Sequence, residues 1–324
     1  DHRDLHSFPT RRSSDLKEYK DLRYKLGKIP SVYDFYKFAE VSLDVVFRYR
    51  KNFHLFISEM EDNYEHILSD LQNKILSFLS QEISNGKRID DLIILKELID
   101  NELIQVEDML TKYHKESVTH KTFESAINIL ILSFFKLDDQ IKYGSTPLIN
   151  RNGESLVLSS AFETELKYEY FKSQVISLIT YGIERYYDEY SSNSASPFIL
   201  NKKYSRKDYC RLRCWTKDES SVIYGYKVKS DTTPIFVTYH KHDDISDSTK
   251  YPDEFIDQNM ISWMTRSRVT LKSPDVIKIS SQKENRMVID LFVKKDDYDG
   301  SDFYYLGELI YLSHSQTSIV VKEE

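Results

Sequence analysis

Residues 287–311, MVIDLFVKKDDYDGSDFYYLGELIY, decide the fold of the second half of the chain. Apolar side chains recur at about every second residue in Met287–Lys294 and Phe303–Tyr311, which is the period of a β-strand. The polar segment between them, Asp296–Asp302, contains Gly300 and favours a turn over a calcium-binding loop, because its glycine stands at the wrong position for one. The pattern predicts two β-strands joined as a hairpin.

The same period extends outward from this hairpin in both directions. It predicts further strands at Val222–Lys229, Thr233–His240, Val276–Ser280 and Ser318–Val321, with one helix, Asp253–Met264, between them. We therefore expect residues 198–324 to form a mainly antiparallel β domain.

Residues 17–197 have a helical pattern instead, which makes the expected fold class α+β with an N-terminal helical bundle. Glu59–Ser84 has apolar residues at helical spacing and ends at Asn85-Gly86. Further helices are predicted at Asp90–Leu98, Leu103–Tyr113, Thr119–Phe135 and Phe171–Tyr190. A hairpin at 147–158 follows the third of these helices, and this order suggests a winged-helix element. Ser191–Pro197 is the expected linker between the two domains.

The first sixteen residues, DHRDLHSFPTRRSSDL, resemble a translated sequencing adapter. Adapter codons spell all sixteen residues without a mismatch. We therefore leave residues 1–16 out of the fold prediction and expect the natural protein to extend upstream.

Charge separates the two halves of the chain. Residues 200–324 contain 20 basic and 20 acidic residues and are neutral. The whole chain contains 45 basic and 52 acidic residues, so the first 199 residues carry the entire net charge of −7. This balance argues against a uniformly basic surface for nucleic acid, but it leaves room for local basic patches.

Several classes of site lack the residues that they need. The nearest approach to a nucleotide-binding loop, at Gly86-Lys87, has Gln81 at the first glycine position and Arg88 at the last position. Two cysteines, Cys210 and Cys214, are too few for a disulfide framework or a zinc site. We therefore expect no catalytic residue, cofactor or metal on this chain, no membrane span, and a cytoplasmic location.

Two basic groups in the second half are candidates for DNA contact. The first is Lys203–Arg213, with five basic residues and one acidic residue, and the second surrounds Arg266. Aromatic residues are interleaved with both groups, and such mixtures suit nucleic acid because cations hold phosphates while rings stack on bases. We expect the DNA backbone to be held by Arg206, Lys207, Arg211, Arg213, Lys241, Arg266, Arg268 and Lys272. We expect a base pocket near Tyr226, Tyr239 and Trp263. Solvated surface charge and buried core rings are the alternatives.

Several stretches of the chain together resemble one bacterial family. They are LGKIP at 26–30, YDFYKF at 33–38, YSRKD at 204–208, YGYK at 224–227, PIFVTYHK at 234–241, WMTRSR at 263–268 and LFVKKDDYDGSDFYYLG at 291–307. They are similar to the C-terminal domain of unknown function (family 3427) of DEAD/DEAH-type helicases of superfamily two. In some relatives a phospholipase-D-like nuclease precedes the helicase. Those proteins are type IV restriction enzymes whose C-terminal region recognises methylated cytosine.

The resemblance implies a non-catalytic, DNA-binding C-terminal region of an ATP-dependent helicase or restriction enzyme that acts in defence against phage or foreign DNA. A curved sheet or barrel of the PUA/SRA type would fit this role. The partners would be DNA and an upstream motor, which would carry ATP and Mg²⁺, with a nuclease in some relatives. The chain would then be truncated at its C-terminus as well. The alternative is a protein-interaction or dimerisation module attached to a motor, including a homodimer.

Overall fold

The computed structural model describes residues 8–116, 118–192, 194–240, 254–256, 260–265, 269–296, 300–315 and 318–323. The chain divides into two compact units, Asp1–Asn193 and Ser194–Glu324. A helical first unit is followed by a curled mixed sheet that forms a half-barrel, which confirms the α+β fold class. Within the described ranges, no helix is long and apolar enough to cross a membrane.

The first unit, here called the helical unit, contains eleven α-helices and a small sheet among its described residues. The helices are α1 (Phe8–Leu26), α2 (Val32–Phe38), α3 (Leu43–Arg50), α4 (Phe53–Met60), α5 (Asp70–Phe78), α6 (Asp90–Asp100), α7 (Val106–Lys112), α8 (His120–Leu130), α9 (Leu137–Lys142), α10 (Ser160–Glu165) and α11 (Glu169–Arg185). Turns of π-helix, Leu79–Ile83 and Tyr186–Tyr190, extend α5 and α11. The strands are β1 (Ile104–Gln105), β2 (Ile149–Asn152) and β3 (Ser155–Leu158).

The prediction of one long helix at Glu59–Ser84 is wrong, because two helices occupy this stretch. The first ends at Met60, and the second begins after Ser69, whose side chain accepts a hydrogen bond from the backbone of Gln72 in a capping box. The residues between them are held by side chains instead. His66 stacks on Tyr170 with ring centroids 3.9 Å apart. The predicted end of the helical stretch at Gly86 is confirmed by its φ of +69°, a conformation that favours glycine.

The winged-helix order predicted for the middle of this unit is present, with one strand that the sequence pattern missed. Strand β1, between α6 and α7, pairs with β3, and the small sheet has the order β1-β3-β2. Thr119 caps α8 as expected, and Thr122 completes its capping box. Helix α8 ends at Leu130 rather than Phe135, since Leu132 adopts a φ of +65°.

The second unit, here called the sheet unit, combines seven strands with three short helices in its described part. They are β4 (Lys203–Tyr204), α12 (Arg206–Leu212), β5 (Thr232–His240), β6 (Glu254–Phe255), β7 (Met260–Met264), α13 (Pro274–Ser280), α14 (Gln282–Asn285), β8 (Val288–Asp296), β9 (Phe303–His314) and β10 (Ser318–Glu323). The order is β5-β8-β9-β10-β7-β6, with β4 paired to β9. Strands β5 and β8 are parallel and the other pairs are antiparallel, so the sheet is mixed.

Three predicted elements of this unit are wrong. Val276–Ser280 is the helix α13, which begins at Pro274 directly after its cap residue Ser273. The predicted helix Asp253–Met264 is replaced, where the structure describes it, by the strand β7 and the edge strand β6. Val222–Lys229 forms isolated bridges rather than a strand, because Gly225 turns the backbone at a φ of +76°.

Both faces of the sheet are buried, and each face has its own core. One face contains aliphatic residues such as Ile235 and Leu291 together with Tyr226 and Trp263. The opposite face contains rings, among which Phe236 and Phe292 stack at 4.8 Å. Burial on both faces requires apolar residues at consecutive positions, which explains the run Leu291-Phe292-Val293 inside an otherwise alternating strand.

Candidate nucleic-acid interface

Basic and aromatic side chains from four strands meet at one end of the large sheet. The parallel pairing places Thr238 of β5 beside Lys294 of β8, so the carboxyl ends of both strands lie together. Tyr304, near the start of β9, pairs with Val293 on one side and with Lys203 of β4 on the other. We call this end the sheet-end surface, and its members are Lys203, Arg206, Tyr239, Lys294, Lys295 and Tyr304.

On one face of this end, two cations lie against a single buried ring. The Arg206 guanidinium lies 5.0 Å from the centroid of Phe303 and 5.3 Å from that of Phe236. Lys294 Nζ lies 5.1 Å from the same Phe303 ring. Cations over aromatic faces are attracted by the ring quadrupole, which fixes where these side chains lie.

Arg206 is a partly buried cation, and no described residue supplies it with a carboxylate partner. Within the described chain, its Nε has no hydrogen-bond acceptor. Burial lowers the pKa of the Arg206 guanidinium below its usual value. A cation removed from water without a counter-charge is energetically unfavourable, and an external anion would relieve this cost.

The local sequence explains why Arg206 is left without a counter-ion. Ser205 caps α12, accepting a hydrogen bond from the backbone nitrogen of Asp208 at 3.0 Å. In return, the Asp208 carboxylate accepts one from the backbone nitrogen of Ser205 at 2.7 Å. The one acidic residue of the 203–213 run is therefore engaged in the cap, while Arg206 begins the helix at the sheet end.

The opposite face of the sheet end is more accessible. Lys203 Nζ lies 4.6 Å from the Tyr304 ring centroid. Alternation along β5 and β8 places Tyr239 and Lys295 on this same face, next to each other in the register. Tyr304 is 38% exposed and Tyr239 is 49% exposed, so both rings can be reached by a ligand.

The other arginines and the lysine predicted to hold DNA on α12 have partners in the protein. Lys207 Nζ lies 3.8 Å from the buried Asp218 carboxylate. Arg211 is itself buried, with 3% of its surface exposed. Arg213 donates to both oxygens of Asp290 at 2.9 and 2.6 Å, and to Glu308 at 2.9 Å. Arg211 and Arg213 are therefore parts of the folded core, whereas Lys207 is partly exposed and its contact with DNA stays a prediction.

Asp290 is the centre of a buried polar network. Its side chain is fully buried and also accepts a hydrogen bond from the Tyr209 hydroxyl at 2.9 Å. Burial raises the pKa of Asp290, while Arg213 and Tyr209 oppose this shift. The network joins α12 to β8 and β9, so its role is to fasten the helix to the sheet.

The three rings predicted to surround a base are divided by the fold. Tyr226 and Trp263 are in contact, edge to face at 4.7 Å, but they are only 1% and 3% exposed. They fill the aliphatic core because Tyr226 forms a bridge with Ile235 that faces its ring inward. Tyr239 lies on the sheet-end surface instead. Burial of the first two rings argues against the predicted pocket.

Four further residues were predicted to contact the DNA backbone. Lys272 is exposed, just before α13. Lys241, Arg266 and Arg268 lie outside the described residues. Sequence reasoning missed Lys294, Lys295 and Tyr304 as site residues, although they belong to the quoted stretch 291–307. Two adjacent lysines at the end of a predicted strand were the available signal.

The winged-helix element of the helical unit presents a balanced charge rather than a basic one. Arg151, in strand β2, donates to both oxygens of Glu124 on α8 at 2.8 and 2.6 Å. It also lies 3.5 Å from Glu154. The basic residue of the wing is therefore neutralised by the helix that would enter a DNA groove.

Comparisons with known proteins fit this division of the chain into two regions. A model of a domain of unknown function, DUF8090, matches residues 16–188. The chain belongs to the DUF8090 family. A second model, of the domain of unknown function DUF3427, matches residues 198–324. The DUF8090 region contains the winged-helix element, and the DUF3427 region contains the sheet-end surface.

One solved structure matches this chain over much of the length of both, but the structural similarity is low. It is described as the sulfur binding domain and SRA domain of ScoMcrA complexed with phosphorothioated DNA. The match has a TM-score of 0.23 and 8% sequence identity, and covers 74% of this chain and 82% of that chain. No curated protein matches the chain in sequence.

Proposed function

We propose that the sheet unit binds DNA through the sheet-end surface. The observation that carries this proposal is Arg206, whose guanidinium is partly buried over two rings and has no carboxylate partner among the described residues. A phosphate supplies the missing counter-charge and accepts the paired hydrogen bonds that a guanidinium can donate.

The neighbouring residues extend this contact from one phosphate to a strand. Lys203, Lys294 and Lys295 surround the same sheet end and add charge along a backbone. Tyr239 and Tyr304 are partly exposed aromatic side chains, of the kind that stacks on unpaired bases. An acidic turn, which includes Asp296 and Asp302, adjoins the lysines and offsets part of their charge. Binding should therefore depend strongly on Arg206.

A finer proposal rests on the resemblance rather than on geometry. We propose that the chain is the non-catalytic C-terminal region of an ATP-dependent helicase or restriction enzyme, with ATP and Mg²⁺ bound by its motor. In that setting it would recognise methylated cytosine in phage or foreign DNA. The buried positions of Tyr226 and Trp263 offer no support for a base pocket at those residues, so this step depends on the family alone.

The test measures the binding of labelled duplex and single-stranded DNA to the whole chain. Fluorescence anisotropy gives the affinity at salt concentrations between about 50 and 200 mM. We expect Arg206→Ala to weaken binding about tenfold and to reduce the salt slope by about 1. Lys283→Ala, which removes an exposed lysine of α14, is the matched control and should change neither quantity.

Two outcomes would contradict the proposal at different levels. Unchanged affinity and salt slope in the Arg206 variant would exclude the sheet-end surface. Equal affinity for methylated and unmethylated duplexes would reduce the function to phosphate binding and exclude the recognition of modified cytosine.

A protein-interaction module is the second candidate function, and a specific observation in the helical unit favours it. A groove with an apolar floor between α6 and α11 and an acidic rim lies in this unit.

A further inference from the structure

A long groove lies on the helical unit. Its larger part has a volume of about 660 Å³ and is lined by the end of α6, by β3 and by the α10–α11 region. A smaller part of about 220 Å³ lies between α6 and α11. Ile99 and Asp100 line both parts, so the two parts adjoin at the end of α6.

The floor of the smaller part of the groove is apolar. Ile176, Ile179 and Ile183 recur along α11 at intervals of three and four residues, which places them on one side of the helix. Ile176 is 43% exposed, whereas Ile179 is buried, with 3% of its surface exposed. The accessible apolar surface is therefore centred on Ile176 and Ile183.

The rim of the groove is acidic. Five acidic and three basic side chains line the two parts, a net charge of −2. The acidic residues are Asp100, Glu102, Glu163, Glu169 and Glu184, and the basic residues are Lys96, Lys167 and Lys172. Of these acids, Glu184 has an ion pair, with Lys37 at 3.5 Å. Asp100, Glu102, Glu163 and Glu169 form none with another described residue, so they remain open to an external cation.

The dimensions of the groove fit a peptide helix. It follows α11 from Glu169 to Glu184, and fifteen residues of helix span about 22 Å. A partner helix of about four turns would match this length. The acidic rim disfavours DNA and other polyanions, and the apolar floor requires a ligand with an apolar stripe.

We propose that this groove binds a basic amphipathic helix of a partner protein. Apolar residues of the partner, spaced at three and four positions, would cover Ile176 and Ile183. Lysines or arginines beside that stripe would pair with the four acids of the rim. This inference lies in a different unit from the sheet-end surface and does not depend on DNA binding.

The experiment uses the whole chain and a labelled model peptide of leucine and lysine with amphipathic helical spacing. A peptide of the same composition in scrambled order is the ligand control. We expect the amphipathic peptide to bind at least tenfold more tightly than the scrambled one. The double variant Glu163→Lys/Glu169→Lys should weaken binding at least tenfold, and Ile176→Glu should do the same.

The control variant Glu65→Lys/Asp138→Lys reverses two exposed charges outside the groove and has the same net charge as the first variant. It should retain binding within twofold. Equal weakening by both double variants would mean that the peptide responds to overall charge, and would overturn the proposal, as would equal binding of the two peptides. Arg206→Ala should leave peptide binding unchanged, which separates this result from the test of DNA binding.

Discussion

The two ends of α12 differ in how they hold an arginine. At its C-terminal end, Arg213 forms ion pairs with the buried Asp290 and with Glu308. At its N-terminal end, Arg206 lies over Phe236 and Phe303 with no carboxylate partner in the described chain. One helix thus contains one arginine whose charge is compensated within the fold and one whose charge is left for a ligand. The comparison shows that a basic run in a sequence need not act as a single surface.

The largest expected effect on stability is at the C-terminal end of α12, where Arg213 is paired with carboxylates. Arg213→Ala would leave the fully buried Asp290 without its counter-charge, and we expect a loss of about 3–5 kcal/mol in the free energy of unfolding. Both tryptophans, Trp215 and Trp263, lie in the sheet unit, so tryptophan fluorescence in a urea titration reports on this unit alone.

The Arg213–Asp290 ion pair itself contributes less to the free energy of unfolding than the effect of Arg213→Ala suggests. Arg213→Met combined with Asp290→Leu removes both charges, and we expect it to be more stable than Arg213→Ala. If the double variant is as unstable as the single one, shape rather than charge dominates at this end of the helix.

Asp90 of the helical unit provides a buried charge of the opposite sign to compare with Arg206. Burial raises the pKa of Asp90 to about 6, and its Oδ1 has no hydrogen-bond partner in the described chain. The folded chain therefore holds this proton more tightly than the unfolded chain, whose value is about 4. This contribution to stability is present below pH 4 and is lost as the pH rises through about 6.

We expect Asp90→Asn to stabilise the helical unit by about 2 kcal/mol at pH 7 and by much less at pH 4. Hydrogen exchange of helical-unit amides at both pH values measures this difference. A gain of equal size at both pH values would show that the ionised carboxylate is not the source of the cost.

The smallest expected change in stability is at the N-terminal end of α12, where Arg206 lies. Arg206→Ala loses a cation–π contact but also removes a desolvated charge, so the free energy of unfolding should change by less than about 1 kcal/mol. Inorganic phosphate should raise the urea midpoint of the natural chain more than that of this variant. A large loss of stability without phosphate would indicate that Arg206, like Arg213, serves the fold.

Much of the architecture is encoded in local patterns. The alternation in 287–311 predicts β8 and β9, and both are confirmed. The predictions fail where a short segment satisfies two patterns. Val276–Ser280 has β-branched residues typical of a strand, yet Pro274 and Ser273 begin a helix there. The Glu59–Ser84 pattern is helical throughout, but contacts between His66 and Tyr170, far apart in sequence, accompany a non-helical connection.

The candidate site was less accessible from sequence than the fold. Arg206 and Tyr239 were predicted and lie on the sheet-end surface, whereas Arg211 and Arg213 were predicted from the same basic run and are engaged in the core. Residue type and spacing alone do not distinguish them, because the difference depends on Asp290, which lies 77 residues beyond Arg213.

The sequence by itself determined strands β8 and β9, the change from a helical to a two-residue period, and the separation of charge between the two halves. These properties depend on neighbouring residues and on the alternation of side chains. Tertiary structure alone decided that β5 and β8 run parallel, which brings Tyr239, Lys294 and Tyr304 to one end of the sheet. It also decided which arginine met a buried carboxylate, because burial and ion pairing arise only when distant segments pack together.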